Sequence, residues 1–262
     1  MPITLNTMPG IRRVAALVAV AALAAGACGS SGVDVKGNPT AAMLAASKRT
    51  ANDKTVTMEL SAKQGTFVVA SGTGAYDFVH QTARFTLSGA LLSNFDLVIT
   101  PDKIYMKTPK GPKAWTSLTQ ADLSKSSTGG LLSSLRSEID PRQTLNNLGQ
   151  TTKNVRVVGT ETVRDANTTH VHADVDLSDA AIAKAPASMQ DSLRQARTTL
   201  QSDSYPIDVW LDKDGRVRRV SYALTVTQKG QVTTTVVELD LYDFGKDPGI
   251  VVPKPTDVSP AS

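Results

Sequence analysis

The sequence has 262 residues, of which 40% are hydrophobic and 20% are charged, so it has the composition of a globular protein with enough apolar side chains for a core. The formal net charge is +4, and removal of the segment that carries Arg12 and Arg13 would leave +2 (4 − 2). Charges of both signs are interspersed along the sequence, so the charge distribution does not indicate a surface that binds nucleic acid.

The N-terminal segment has the pattern of a bacterial secretion signal. Arg12 and Arg13 are followed by an unbroken run of 14 small or aliphatic residues, from Val14 to Ala27. This run is shorter than the roughly 20 residues that a membrane-spanning helix needs, and it matches the apolar region of a signal peptide. We therefore predict that residues 1–27 are a signal peptide.

Small residues directly precede Cys28, the only cysteine in the sequence. An apolar run that ends in this way resembles the lipobox of bacterial lipoproteins, although the position three before the cysteine is Ala25, where many lipoboxes carry leucine. The resemblance implies cleavage between Ala27 and Cys28, a diacylglyceryl group on the Cys28 sulfur, and anchoring at the extracytoplasmic face of the cell membrane. A plain secretory signal with an unmodified cysteine is the alternative. The segment 28–38 is expected to be a flexible tether, because Gly and Ser resist ordering.

The chain that follows predicts one helix and then mainly strands. Pro39 to Thr50 has proline in its first turn and a face of apolar residues, which is typical of a helix. Turn signals then recur roughly every 8 to 12 residues, the spacing of an all-β sheet or barrel. The strands predicted from this pattern are 55–63, 76–79, 83–88, 94–100, 103–107, 115–118, 155–163 and 169–177. Helical spacing interrupts them at 131–148 and 179–201.

Three successive antiparallel strands are predicted from Tyr205 to Asp243. Apolar and polar residues alternate in all three, so the meander has one apolar face and one polar face. The apolar face must be covered, and the predicted helices carry aliphatic stripes that could cover it. The Pro-rich end of the chain, residues 255–262, is expected to be disordered.

Few residues in this sequence predict catalysis or metal binding. His170 and His172 share a strand face with Asp174 and Asp176, a set that could hold a metal ion. The opposite face of that strand is the apolar one, so we interpret the set as part of a solvated outer face. Asp212-x-Asp214-Gly215 begins like a calcium loop, but it lacks the later acidic ligands and is interpreted as a hairpin turn. We predict no catalytic residue, no cofactor and no metal, and therefore no enzyme.

Four segments, in collinear order, resemble the LppX/LprAFG lipoproteins of actinobacteria, a branch of the LolA/LolB-like superfamily. These segments are Ile139–Leu145 with its Asp-Pro pair, Val157–Val163 with its central glycine, Tyr205–Asp212 with its proline and tryptophan, and Glu238–Gly245. Together with the order of predicted elements behind a lipobox, the similarity spans most of residues 39–254.

The resemblance implies an α+β fold, in which a strongly curved antiparallel sheet forms a half-barrel with helices over its concave face. It implies a single lipid-binding domain at residues 39–254 that holds the acyl portion of a lipid or lipoglycan and carries it across the envelope. The implied partners are this ligand and the membrane through acylated Cys28, with an exporter as a further candidate and no nucleic acid. The candidate lipid-contacting residues are Met58, Leu60, Leu131, Leu135, Val209, Leu211, Val220, Tyr222, Leu224 and Val226.

A filled core is the alternative to a hollow one. The same apolar stripes could pack against each other, and periodicity alone favours that arrangement because protein interiors are close-packed. The chain would then be a membrane-anchored protein-interaction or scaffold module.

Overall fold

The computed structural model describes residues 34–89, 92–107, 113–119, 121–122, 151–228 and 230–260. The chain from residue 31 onward forms one compact unit. Its centre is a single curved, unclosed sheet of twelve strands, and three helices lie wholly within the described residues. The predicted α+β half-barrel is therefore confirmed. The predicted signal peptide, Cys28 and the predicted helical segment 131–148 lie outside the described residues.

Neighbouring strands of the sheet are antiparallel with one exception, the parallel pair β12 and β6. The helices are α1 (Pro39–Asn52), α2 (Asp179–Lys184) and α3 (Ala187–Leu200). The strands are β1 (Thr55–Gln64), β2 (Phe67–Asp77), β3 (Thr82–Gly89), β4 (Leu92–Ile99), β5 (Ile104–Lys107), β6 (Trp115–Leu118), β7 (Thr152–Val163), β8 (Ala166–Asp176), β9 (Ser204–Asp212), β10 (Val217–Gln228), β11 (Gln231–Tyr242) and β12 (Val258–Pro260). Their order across the sheet is β12-β6-β5-β4-β3-β2-β1-β11-β10-β9-β8-β7.

Helix α1 begins where its sequence predicts. The Asn38 side chain accepts a hydrogen bond from the Ala41 amide, and Pro39 occupies the first helical position, where no amide donor is needed. Within the predicted tether, the described residues 34–38 form a turn, and the side chain of Val35 is only 5% exposed. The core therefore begins just ahead of the helix.

Helices α2 and α3 connect β8 to β9. Ser178 caps α2 through a bond from the Ala181 amide, and the chain then breaks at Pro186, which cannot continue a helix. In α3 the predicted apolar stripe is present: Met189 and Leu193 are buried, and the side chains further along it pack against the core.

Two glycines in β2 leave space on the inner face of the sheet for large side chains of the neighbouring strand β3. Sequence reasoning treats Gly72 and Gly74 as breaks between short strands, and predicts a strand only from residue 76. In the structure one strand runs through both glycines, because Leu87 and Phe85 of β3 occupy the space that side chains would fill. A Cβ on Gly74 would lie 2.4 Å from both a ring atom of Phe85 and the carbonyl oxygen of Arg84.

The C-terminal residues correct one prediction. Residues 255–262 were expected to be disordered, whereas Pro255–Asp257 form a 3-10 turn and Val258–Pro260 pair in parallel with β6. The Lys113 ammonium group also donates to the carbonyl of Val258 at 3.0 Å. Proline 260 is compatible with this position because β12 is an edge strand, where one amide has no partner strand to bond.

Candidate functional site

One face of the sheet, here called the inner face, carries continuous rows of apolar side chains. Strand register places one residue from each of nine adjacent strands in a single lateral row. From β7 to β4, the row is Val157, Val171, Val209, Val220, Leu239, Leu60, Gly72, Leu87 and Phe95. The next row includes Ala173, Ile207, Tyr222, Val237 and Ala62. Neither row contains a charged residue, so the inner face offers only apolar and weakly polar contacts.

The half of the inner face nearest the β9–β10 turn is closed. Met58, Leu211 and Leu241 are at most 1% exposed, and they belong to one hydrophobic core with the buried side of α1. Helix α1 packs against β7 and β10, and its Thr50 hydroxyl accepts a bond from the Val217 amide at 3.0 Å. This half is therefore a filled core.

The other half of the inner face, toward the β10–β11 turn, is partly open. Tyr222, Leu224 and Val226 of β10 are half-buried, as are Leu60 and Leu239 on the strands beside them. Tyr222 contacts Tyr205 edge to face, with ring centroids 6.2 Å apart. The apolar surface here is accessible enough to contact a ligand.

The ten predicted lipid-contacting residues thus fall into three groups. Met58, Val209, Leu211 and Val220 lie on the inner face but are fully buried. Leu60, Tyr222, Leu224 and Val226 lie on the same face and are half-buried. Leu131 and Leu135 lie outside the described residues. The structure therefore brings the eight described candidates to one face, and only the second group is accessible.

The β10–β11 hairpin extends beyond the strands on both of its sides. Pairing of β10 with β9 ends at Tyr222 and Ile207, and pairing of β11 with β1 ends at Val236 and Lys63. Residues 223–235, here called the projecting hairpin, consequently form a two-stranded ribbon with which no other strand of the described chain pairs. The half-buried Leu224 and Val226 lie on its inner side.

The opposite, outer face carries a polar row that crosses the same strands. Asp240 accepts two hydrogen bonds from the Arg219 guanidinium, at 2.6 and 2.9 Å, and another from Arg164, which also pairs with Glu59. The two hydrogen bonds that Arg219 donates to Asp240 raise the pKa of Arg219 above its ordinary value. Trp210 is next in the row and is buried between the guanidinium of Arg219 and the ring of a histidine of β8.

The histidine stacked on Trp210 is His170, with ring centroids 4.2 Å apart and planes 14° from parallel. Its Nδ1 lies 2.9 Å from Glu161 Oε1, and its Nε2 lies 2.8 Å from Asp208 Oδ1. Trp210 Nε1 donates to the other oxygen of Glu161 at 3.0 Å, and the bonds from Trp210 and His170 lower the pKa of Glu161. His172 Nδ1 lies 2.9 Å from the same Asp208 oxygen.

In this histidine–carboxylate network, both ring nitrogens of His170 and Nδ1 of His172 lie within hydrogen-bonding distance of a carboxylate oxygen. Within the described ranges of the chain, no group of three or more His, Cys, Asp or Glu side chains has a metal-binding arrangement. Trp210 alternates with Val209 and Leu211 in the predicted strand, so it shares the polar face with Asp208, as the structure shows. Sequence reasoning did not predict the aromatic stack, since the lateral neighbour of a residue depends on strand register.

The turn at Asp212 is a hairpin turn, as interpreted from the sequence. Asp212 Oδ1 accepts bonds from the Asp214 and Arg216 amides, each at 3.0 Å, and Gly215 adopts a positive φ of 75°. The second oxygen of Asp212 accepts from Arg216 Nε at 2.9 Å, so the carboxylate is already paired with a cation.

No described helix is long and apolar enough to cross a membrane.

Comparison of this fold with solved structures supports the resemblance found in the sequence. LprF from Mycobacterium bovis aligns over 82% of this chain and 96% of its own, with 13% identity and a TM-score of 0.51. The lipoprotein LppX from Mycobacterium tuberculosis aligns over 79% of this chain and 97% of its own, with 15% identity and a TM-score of 0.49. A conserved protein of Thermus thermophilus aligns over 82% of this chain and 96% of its own, with 10% identity and a TM-score of 0.39.

No protein-family model matches the sequence, and no curated protein matches it with significance. The alignment with LprF spans nearly the whole of that protein. At this level of identity the similarity concerns the fold alone. The chain therefore has an LprF-type fold.

Proposed function

We propose that this protein is a cell-envelope lipid carrier. The acyl portion of a lipid or lipoglycan binds against the partly open half of the inner face, and the protein carries it across the envelope without performing chemistry on it. The chain is anchored by acylated Cys28 at the extracytoplasmic face of the cell membrane.

The observation that carries the proposal is the uncharged, half-buried surface formed by Leu60, Tyr222, Leu224, Val226 and Leu239. Each buried methylene contributes about 0.8 kcal/mol, so ten methylenes placed against this surface would contribute roughly 8 kcal/mol before the costs of association. Acyl-chain binding of this kind needs no ionic group, and the lateral rows of the inner face contain none.

The lipoprotein character of LppX, a protein of similar fold, is consistent with the anchor inferred from the sequence. Cleavage before Cys28 would leave six residues ahead of the turn that begins at Asp34. Dual or triple acylation would hold the domain at the membrane far more firmly than a single chain.

A protein-interaction or scaffold module is the second candidate, because half of the inner face is a filled core. Met58, Leu211 and Leu241 are at most 1% exposed, and they leave no room for a ligand at that end of the sheet. If side chains of this protein also fill the remaining half of the inner face, the fold would serve only to present its outer face to an exporter or another envelope protein.

Native mass spectrometry distinguishes the two. Residues 31–262, which form one compact unit, would be purified from a lipid-containing host and sprayed before and after extraction with organic solvent. A carrier shows a bound mass that extraction removes and that returns when lipid extract is added. An apo mass under all three conditions would refute the carrier and favour the interaction module.

A matched pair of variants locates the site. Leu224→Gln places an amide on the inner face and should abolish ligand uptake, since an unpaired amide resists burial against acyl chains. Thr225→Gln makes a similar change on the outer face of the same strand, and should leave uptake unchanged.

A further inference from the structure

The projecting hairpin has no partner strand within the described part of the chain. From Ala223 to Gln228 it extends roughly 17 Å, at about 3.3 Å per residue. A two-stranded ribbon alone in water is marginally stable, because it has too little surface to bury. Helix α3 packs against β10, so the part of the hairpin that a further surface would stabilise is its exposed tip, residues 230–232.

The end of the sheet that carries this hairpin also exposes large apolar side chains. Val232, in the projecting hairpin, is 67% exposed, and Phe67, in the adjacent β1–β2 hairpin, is 58% exposed. Register places Val68, Lys63 and Val236 side by side on the outer face just behind them. The paired ends of β3 and β4, Gly89 and Leu92, lie at the same end of the sheet.

Charge is distributed unevenly at this end. The sequence has no acidic residue in 60–76, 78–95 or 215–237, and it has lysines at positions 63 and 229 in the two apolar hairpins. Acidic side chains near the β8–β9 connection are ion-paired: Asp179 and Asp203 with Arg197, and Asp176 with Lys153. Lys63 forms no ion pair with another described residue, so the β1–β2 hairpin combines an apolar tip with a positive charge, the combination that favours an anionic lipid surface.

The length of the N-terminal tether fits a membrane contact. If Cys28 is acylated, five residues separate it from Asp34, and the six Cα–Cα steps between the two span at most about 20 Å. Val35 is fixed in the core, so the sheet cannot move much further than this from the bilayer.

From these features we propose that the projecting hairpin and the β1–β2 hairpin, residues 223–235 and 63–68, form a docking surface for a bilayer that contains anionic lipids. Val232 and Phe67 enter the headgroup region, and Lys63 lies at the level of the phosphates. The accessible half of the inner face begins at Leu224 and Val226 on the same hairpin. An acyl chain can then pass between the bilayer and the inner face without crossing water, a step that rests on the proposed function.

The test is flotation of residues 31–262, without the anchor, with vesicles of phosphatidylcholine alone or mixed with phosphatidylglycerol. Binding is expected to the mixed vesicles and to be weakened by salt, since exposed charges are screened. Val232→Asp and Phe67→Asp should each lower the partition coefficient about tenfold, because a buried apolar contact is lost. Lys63→Gln should lower it about fivefold on anionic vesicles only.

Matched controls lie at the opposite end of the sheet. Val79 is 61% exposed in the β2–β3 turn, and Lys103 is exposed in the β4–β5 turn. Val79→Asp and Lys103→Gln make the same changes in charge, and partition should not change. Equal losses of vesicle partition from variants at both ends of the sheet, or no loss from the hairpin variants, would overturn the proposed surface. Failure of the unaltered chain to bind either type of vesicle would overturn it as well.

Uptake of a lipid delivered in detergent separates this proposal from the carrier function. Val232 points to the outer side of its hairpin, so Val232→Asp should take up delivered lipid normally while it fails to float with vesicles. Failure of the unaltered chain to take up delivered lipid, while it still floats with vesicles, would instead refute the carrier and leave the docking surface in place.

Discussion

Replacing leucine by alanine at two positions of the inner face distinguishes a filled core from a binding surface. Leu211 is fully buried on β9, and Leu224 is half-buried in the projecting hairpin. The chemical change is the same, and each substitution removes three carbon atoms. The difference in the free energy of unfolding therefore reports the environment of each side chain.

Burial sets the expected magnitudes. Loss of about three methylene-sized groups from a closed core removes roughly 2.4 kcal/mol of transfer free energy, and the cavity that remains raises the total for Leu211→Ala to about 2–5 kcal/mol. Leu224 keeps part of its surface in contact with water, so Leu224→Ala in the ligand-free protein should lower stability by only about 1 kcal/mol.

Urea unfolding of the delipidated chain from residue 31 onward, followed by circular dichroism, measures both values. The same variants are then loaded with lipid and weighed by native mass spectrometry. Leu224→Ala should lose bound lipid out of proportion to its small effect on stability, whereas Leu211→Ala should retain binding once folded. Equal losses of stability with unchanged lipid occupancy in both variants would refute the division of the inner face into closed and accessible halves.

Three further predictions concern glycine packing, acid stability and the anchor. Gly74→Ala should destabilise the protein by about 1–3 kcal/mol in urea, since its Cβ would meet the backbone and an aromatic ring of β3, whereas Gly159→Ala enters open space and should change little; equal effects would contradict the packing argument. The Thr86 hydroxyl, 2.7 Å from Asp96, lowers the pKa of that carboxyl below its ordinary value of 3.8. The hydrogen bond therefore contributes fully to stability above pH 3.8, and this contribution is lost as the pH falls through the lower pKa of the folded state. The difference in unfolding free energy between Thr86→Val and the unaltered protein should shrink on acidification, and a difference independent of pH would contradict the assignment. Cells fed an alkyne-tagged fatty acid should label the unaltered chain but not Cys28→Ser, and labelling of the variant would exclude Cys28 as the acylation site.

The sequence predicted most strands because alternation of apolar and polar residues follows directly from the geometry of a half-buried sheet. It placed the bounds of β6 correctly and put the eight described candidate residues on one face. The break between α2 and α3 within the predicted helical segment 179–201 follows from Pro186, whose effect is local and does not depend on the rest of the fold.

The features that sequence reasoning missed depend on residues far apart in the chain. Gly72 and Gly74 continue a strand only because Leu87 and Phe85 fill the space above them. Disorder was expected at the C-terminus because its composition is Pro-rich, but an open edge of the sheet provides it with a partner. The stack of Trp210 on a histidine follows from register between strands, which periodicity does not determine.

The open sheet leaves two edges, and each is protected in a different way. An exposed strand edge is a template for pairing with another molecule. At one edge the short β12 covers β6 and ends in proline, which cannot donate an amide hydrogen bond. At the other, β7 is interrupted by two shifts of register, near Lys153 and Val157, and carries charged side chains that oppose lateral association. A half-barrel must stay unclosed for its inner face to remain accessible. The irregular edges let the sheet stay open without pairing with the sheet of a neighbouring molecule.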